Sequence, residues 1–228
     1  MFVGKVQVEG LRGKRCFCSW SGGKDSCLAL YRAIRAGARV ECLVSMFAED
    51  GERSRSHGLR AGIIRSQADN LGLRLAAAAT SWNDYESNFI RILRDLKDQG
   101  IEAGIFGDID IQEHLEWEQK VCDAADMASA LPLWQGERLS LVREFVNSGF
   151  ETRVVAVRAD ALPPEFLGRV LDVELAEEFV RRGVDACGEN GEFHTVVTDG
   201  PCFRRPIRIE PRERVQIGGV WLLDVAPA

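Results

Sequence analysis

The sequence predicts an α/β protein, with an open parallel sheet in the first part of the chain and a smaller α+β part after it. Three observations predict this. From Arg15 to about Asp110, short apolar runs alternate with amphipathic segments, the pattern of successive strand-helix units. The first run ends in a glycine-rich turn that opens a helix. Past Leu131-Pro132-Leu133-Trp134 the alternation stops, giving helical segments and then strand-like ones. The expected division is 1–130 and 131–228, with no disordered linker and no repeat.

The elements follow in order. Strands are expected at 15–20 (RCFCSW), 40–46 (VECLVSM), 73–79 (LRLAAAA) and 103–107 (AGIFG). After the glycine turn, Leu28, Tyr31, Ala33 and Ile34 make a helix that Gly37 stops. Leu59, Ile63 and Leu71 share one side of a second helix ended by Gly72. In the third, Tyr85, Phe89, Ile92, Leu93 and Leu96 keep the 3.6-residue period up to Gly100. A fourth, over 111–127, carries Leu115, Val121 and Cys122. Beyond the boundary, 138–148 and 171–182 read as helices, 152–159 as a strand, and 215–225 as a hairpin turning on Gly218-Gly219. The polar segment EDGERSRSHG, 49–58, follows the second strand at the end where open sheets bind ligands; it is read as a mobile lid or an ordinary surface loop.

Composition excludes several classes. With 228 residues, 46% apolar and 28% charged, the chain can bury its own core, and no apolar run approaches a bilayer span. MFVGKVQVEGLRGK lacks the apolar core of a secretory signal, and seven scattered cysteines read as reduced core thiols; the expected location is cytoplasmic. Cys16 and Cys18 form a CxC with no second pair to complete a metal site. A net charge of −6 without a dense basic track disfavours nucleic acid. RRPIRIEPRER, 204–214, is the most basic stretch, and a local basic groove stays open.

The turn itself, CFCSWSGGKDSCLAL, wants an anion. Glycines let the backbone approach it, and the first N–H groups of the helix point at it with the helix dipole behind them. A serine and glycine turn before any helix, needing glycine for geometry alone, is the alternative. It is not a Walker A loop, which would need glycine at 18 and a hydroxyl at 25, where Cys18 and Asp25 stand; nor is the G-x-G-x-x-G spacing present. Ser21-Gly22-Gly23-Lys24-Asp25-Ser26 instead resembles the PP-loop of the N-type ATP pyrophosphatases. That resemblance implies an adenine nucleotide alpha-hydrolase-like, Rossmann-like sheet and ATP split between its α and β phosphates. Ser21 and Ser26 would donate hydroxyl hydrogen bonds, Lys24 would neutralise phosphate charge, and Asp25 would orient the loop or hold Mg²⁺.

A second motif, VDACGENGEFHTVVTDGP at 184–201, gathers Asp185, Glu189, Asn190, Glu192 and His194 among glycines. These residues read as a turn whose acids and imidazole converge on a ligand, or as a decorated surface loop. Cys187-Gly188-Glu189 with Gly191-Glu192-Phe193-His194-Thr195, paired with the first motif, resembles the diphthine-ammonia ligase family. Landmarks between them agree in order: Ser56-His57-Gly58, Gly107-Asp108-Ile109, Glu118, Val121-Cys122, Pro132-Leu133-Trp134 and Leu167-Gly168-Arg169. Asn190 and Phe193 resemble the wording of bacterial-type members.

The resemblance implies an ATP-dependent ligase. A substrate carboxylate, in the family that of diphthine on elongation factor 2, is adenylated with loss of pyrophosphate, and ammonia then forms the amide. It implies a nucleotide site of Ser21, Gly22, Gly23, Lys24, Asp25, Ser26, His57, Gly107 and Asp108, with Asp25 and Asp108 toward Mg²⁺. Catalysis would fall to Lys24, Glu189, Glu192 and His194, the last three on the ammonia and acceptor side. Asp108 has an N-cap as its alternative role, His57 an exposed loop position, and Glu189, Glu192 and His194 a structural role in the turn. His114 and Glu118 share a helix face at i, i+4, as a zinc pair would, but with no third ligand apparent in the sequence they read as a solvated pair. No glutaminase segment is apparent, so free ammonia or a partner protein supplies nitrogen; a homo-oligomer is compatible with the sequence. The alternatives are a PP-loop tRNA-modifying enzyme, disfavoured by the acidic charge and missing CxxC, and a nucleotide-binding protein without turnover.

Overall fold

The computed structural model describes residues 7–228; the first six residues, part of the N-terminal stretch read above, lie outside the described residues. The chain divides into two compact units. One holds the chain to Ser21, Asp25–Ser56 and Gly72–Gln135; the other holds Gly22–Lys24, His57–Leu71 and Gly136–Ala228.

In the first unit, β1 (Arg15–Ser19), β2 (Arg39–Phe47), β3 (Arg74–Ala79), β4 (Ala103–Ile105) and β5 (Ala128–Ala130) form one sheet in the order β3-β2-β1-β4-β5. All four pairings are parallel, so α/β units with crossover helices account for the connections. Helix α1 (Lys24–Arg35) has Asp25 in its first turn and Arg32 and Arg35 in its last, charges that suit the helix dipole, and Gly37 stops it at φ +93°. Helix α3 (Tyr85–Asp98) buries Phe89, Ile92, Leu93 and Leu96, the stripe that the periodicity predicts. Phe17 on β1 meets Phe89 and Phe106 edge-on, at ring-centroid distances of 6.5 and 5.8 Å. Side chains as fully buried as Phe89 and Leu93 stabilise this core by roughly 1.5–3 kcal/mol each. Helix α4 (Gln112–Asp123) is shorter than expected: it ends before Asp126, whose φ is +54°, and the chain then enters β5.

The 49–58 segment is a hydrogen-bonded extension of β2. Ala48 N donates to Arg53 O at 2.8 Å, Arg55 N to Met46 O at 2.8 Å, and Phe47 bridges Ser54.

In the second unit, β6 (Glu151–Arg158), β7 (Phe193–Asp199), β8 (Ile209–Ile217) and β9 (Val220–Pro227) form an antiparallel sheet in the order β7-β6-β9-β8. The hairpin on Gly218-Gly219 is present and longer than the sequence predicts. Helix α5 (Arg138–Asn147) begins where the Glu137 carboxylate accepts from Leu139 N and Ser140 N, at 3.0 and 2.7 Å. Helix α6 (Val173–Arg181) is capped by Asp172, which accepts from Leu175 N at 2.8 Å. Helix α2 (Ala61–Leu71) belongs to this unit although it lies between β2 and β3 in sequence. It packs on β9, close enough that a Cβ on Gly62 would stand 3.2 Å from Pro227 Cγ.

All seven cysteines are free thiols and six are buried. Burial holds the Cys16 thiol up at about 12 and pushes Cys18 and Cys122 up as well, so these are neutral packing groups. No helix is long and apolar enough to cross a membrane among the described residues.

Candidate active site

Strand order places the glycine turn. β1 lies between β2 and β4, so the chain leaving β1 emerges where neighbouring connections run to opposite sides, the switch point at which open α/β sheets bind ligands. In the first unit, Ser21 Oγ and Ser26 Oγ lie 3.1 Å apart on either side of the turn. The segment after β4 reaches the same helix start. A Cβ on Gly107 would stand 2.9 Å from both Asp25 C and Ser26 N, so only glycine permits this approach.

Asp108 follows at once. Its carboxylate is bonded to His114 Nδ1 at 2.6 Å and hydrogen-bonded to Glu118. Burial acts to raise the Asp108 carboxyl, but the bonds to His114 and Glu118 outweigh it and hold the group below the usual carboxylate range. Glu118, 2% exposed, lies buried beside it. Two expectations change here. Asp108 does not cap α4, whose N-cap is Ile111, and Glu118 is no solvated partner of His114 but a buried support beneath Asp108.

In the second unit the two motifs meet. Phe193-His194-Thr195 does not lie in a turn; the turn ends at Glu192 and these residues open strand β7. Gly22–Lys24 runs against that strand. Val197 N donates to Gly22 O at 3.0 Å, and Lys24 N donates to Thr195 Oγ1 at 3.1 Å. Lys24 is 4% exposed; its ammonium donates to Cys187 O and lies 5.1 Å from the Phe193 ring centroid.

Helix α2 supplies a pin that the sequence reading passed over. Gln67 is fully buried, and its Nε2 donates at 2.9 Å to both Gly22 O and Val197 O. The sequence held a signal for it: Ile63, Ile64, Gln67 and Ala68 share the buried face, so an amide stands where the helical period calls for an apolar group.

His57 is half-buried rather than an exposed loop residue. Its Nδ1 lies 3.0 Å from Thr195 O; a carbonyl only accepts, so Nδ1 carries the hydrogen and Nε2 of the neutral ring is the acceptor. The ring stacks on His194 with centroids 4.4 Å apart and covers Gly23, where an added Cβ would stand 2.2 Å from His57 Cε1. Burial, and the nearby Lys24 charge, hold His194 at about 4. Burial and His194 push His57 well below its usual value, so both rings are neutral at pH 7.

The acids of the second motif are engaged. Arg138 bridges Asp185 at 2.8 Å and Glu189 at 3.5 Å, while Asp185 also accepts from Cys187 N at 2.7 Å. Glu192, 8% exposed, accepts from Asn190 N at 3.0 Å and thereby closes the 188–192 turn.

The family model for the diphthamide synthase N-terminal domain matches residues 14–129, and that for the diphthamide synthase C-terminal domain matches residues 137–225. A diphthine-ammonia ligase of Homo sapiens is 25% identical over 223 residues, covering 86% of this chain and 82% of its own. One of Danio rerio is 25% identical over 219 residues, covering 86% of each. In one of Schizosaccharomyces pombe, 26% identical over 219 residues, the match spans 36% of a longer chain. With both family models matched in order and all but 1–13, 130–136 and 226–228 accounted for, the chain belongs to the diphthamide synthase family.

Proposed function

We propose that the protein is an ATP-dependent, amide-forming ligase that releases pyrophosphate and AMP. A carboxylate oxygen of the acceptor attacks the α-phosphorus, pyrophosphate leaves toward the glycine turn, and ammonia then displaces AMP from the acyl-adenylate. The observation behind this reading is the union of the two motifs: Lys24 is bonded through its backbone to Thr195 and through its ammonium to Cys187 O. A buried ammonium whose bonds include a neutral carbonyl can exchange that partner for a phosphate oxygen at little cost, and charge stabilisation of the leaving group follows.

Ser21, Gly22, Gly23 and Ser26 line the pyrophosphate side in this proposal, and Gly107 and Asp108 the nucleotide side. His57 covers the turn. Asp25 and Asp108 fit Mg²⁺: both offer hard carboxylate oxygens, the Asp108 carboxyl is held ionised, and the Gly107 approach brings its segment against the Asp25 peptide. Mg²⁺ bound there would neutralise phosphate charge. Glu189 and Glu192 are assigned to the ammonium side, where a carboxylate binds ammonium or takes its proton, and the neutral His194 imidazole to hydrogen bonding with the acceptor carboxylate or the adenylate. The acceptor is a carboxylate, diphthine on elongation factor 2 being the first to test. The assignment of 1–130 to ATP and 131–228 to the acceptor is part of the same proposal.

The test incubates the protein with ATP, ammonium and either diphthine-bearing elongation factor 2 or a pool of small carboxylates, and identifies the products. AMP, pyrophosphate and an amide are expected, and Lys24→Ala is expected to abolish pyrophosphate release while remaining folded. ADP and phosphate as products, or undiminished turnover by Lys24→Ala, would overturn the reading.

A further inference from the structure

The basic stretch of the sequence is not spent on the glycine turn. In the second unit a cavity of about 490 Å³ is lined by Ser66 and Asn70 of α2, by Arg205, Pro206, Ile207 and Arg208, by Pro227 of β9 and by Ala228. No aspartate or glutamate side chain lines it. Arg204, Arg205 and Arg208 form no ion pair among the described residues, whereas Arg60, Arg138, Arg143, Arg158 and Arg169 each hold a carboxylate. Glu210, the nearest acid along the chain, is taken by Arg212 at 3.1 Å.

The lining is anchored. Arg204 N donates to Asn70 O at 2.9 Å, Arg205 Nε to Asn70 Oδ1 at 3.2 Å, Ile207 N to Thr198 O at 2.7 Å, and Ala228 N to Arg208 O at 3.1 Å. Arg205 thus uses one of its five guanidinium donors on a neutral amide that fixes its stem. Pro206 and Pro227 give the wall an apolar part, and Ile207, 7% exposed, lies at its base.

We propose that this cavity binds a small organic oxyanion, carboxylate or phosphate, whose charged end is held by Arg205 and Arg208 with Ser66 and Asn70 as neutral hydrogen-bonding partners, and whose apolar body rests on Ile207 and the prolines. The planar guanidinium fork matches either oxyanion in two-point geometry. A long polyanion such as nucleic acid is disfavoured because the protein carries a net charge of −6 and the basic patch is local. The cavity shares one turn of α2 with Gln67 but none of the residues assigned to ATP.

The experiment is titration of the ¹⁵N-labelled full chain with inorganic phosphate and, separately, citrate, at fixed ionic strength. It follows the Asn70 side-chain amide and the Arg205 and Arg208 Nε–H resonances for the cavity, and the Lys24 amide for the glycine turn. Saturable shifts of the cavity resonances are expected, weakened roughly tenfold or more in Arg205→Gln/Arg208→Gln, whose substituted side chains are exposed. Preference for citrate identifies a carboxylate ligand and preference for phosphate a phosphorylated one. Shifts reproduced by chloride, unaltered by the double substitution, or absent up to about 10 mM, would overturn the proposal. Response of the Lys24 amide alone would do so too while leaving the ligase reading intact. Loss of the Lys24 response with retained cavity binding would count against the ligase reading only.

Discussion

Replacing Gln67 with methionine keeps an unbranched side chain of similar size on the buried face of α2 and removes the side chain that bridges the glycine turn and β7. Gln67 Nε2 makes two hydrogen bonds of 2.9 Å, to Gly22 O and Val197 O. At about 1 kcal/mol net each, with about 1–2 kcal/mol more for acceptors left without full solvation, the loss is ~3–4 kcal/mol. Gly22 O retains its bond from Val197 N, so the turn is loosened rather than abolished. Urea unfolding of the purified variant measures the stability change, and initial rates of pyrophosphate release against ATP measure the effect on the turn. A loss of 2 kcal/mol in holding the turn corresponds to roughly thirtyfold in an equilibrium, so kcat/KM is expected to fall by at least about tenfold. Stability within about 0.5 kcal/mol of wild type together with unchanged kcat/KM would refute the idea that Gln67 positions the turn.

Stability is expected to rise with pH between about 4 and 6.5 and then level off. His194 sits at about 4 when folded and near 6.5 when unfolded, so the unfolded chain binds more protons in that window and acid favours it. His57 is shifted the same way, and His194→Phe is expected to flatten the slope, which chemical unfolding at a series of pH values reads directly. The His194 shift alone corresponds to ~3 kcal/mol across the window. Gly23→Ala drives a Cβ to 2.2 Å from His57 Cε1 and is expected to lower pyrophosphate formation by more than about tenfold. Gly23→Ala/His57→Ala is expected to recover part of that loss in the same assay, because the ring is the nearest obstacle; no recovery would place the obstruction at Thr195 O, 3.1 Å away.

Much of the parallel unit was legible because its signals are local. β1, the glycine turn and α1 follow from an apolar run, two glycines and a dipole-compatible first turn, and α3 from an unbroken apolar stripe. What escaped was set by tertiary context. β5 is Ala-Ser-Ala, three small residues without alternation, and becomes a strand only because β4 offers it an edge. β7 was hidden because Glu192, His194 and the glycines before it read as turn chemistry, although Val196 and Val197 behind them are buried strand residues. The membership of α2 in the second unit is beyond any local pattern, since β2-α2-β3 reads like any crossover. At the site, Lys24, His57, His194 and Asp108 were visible as residue types. Gln67 and the buried Glu118 were not, since their roles depend on what lies across from them.

The hydrogen bond from Lys24 N to Thr195 Oγ1 changes what the turn can offer an anion. Sequence logic counts every amide from Ser21 to Ser26 as a donor toward phosphate, yet Lys24 N already has an acceptor in Thr195. A hydroxyl that accepts from a backbone amide still has its own hydrogen to donate, and accepting one bond strengthens the other. Thr195, 1% exposed, can therefore pass the polarity of the turn outward as an O–H donor while its carbonyl holds His57. One residue of the second motif is thus fastened to both the lysine of the first motif and the histidine that covers it. That shared fastening gives a physical reason for the two motifs to occur together: the geometry of the lysine, and with it any charge it stabilises, depends on the strand that carries Thr195.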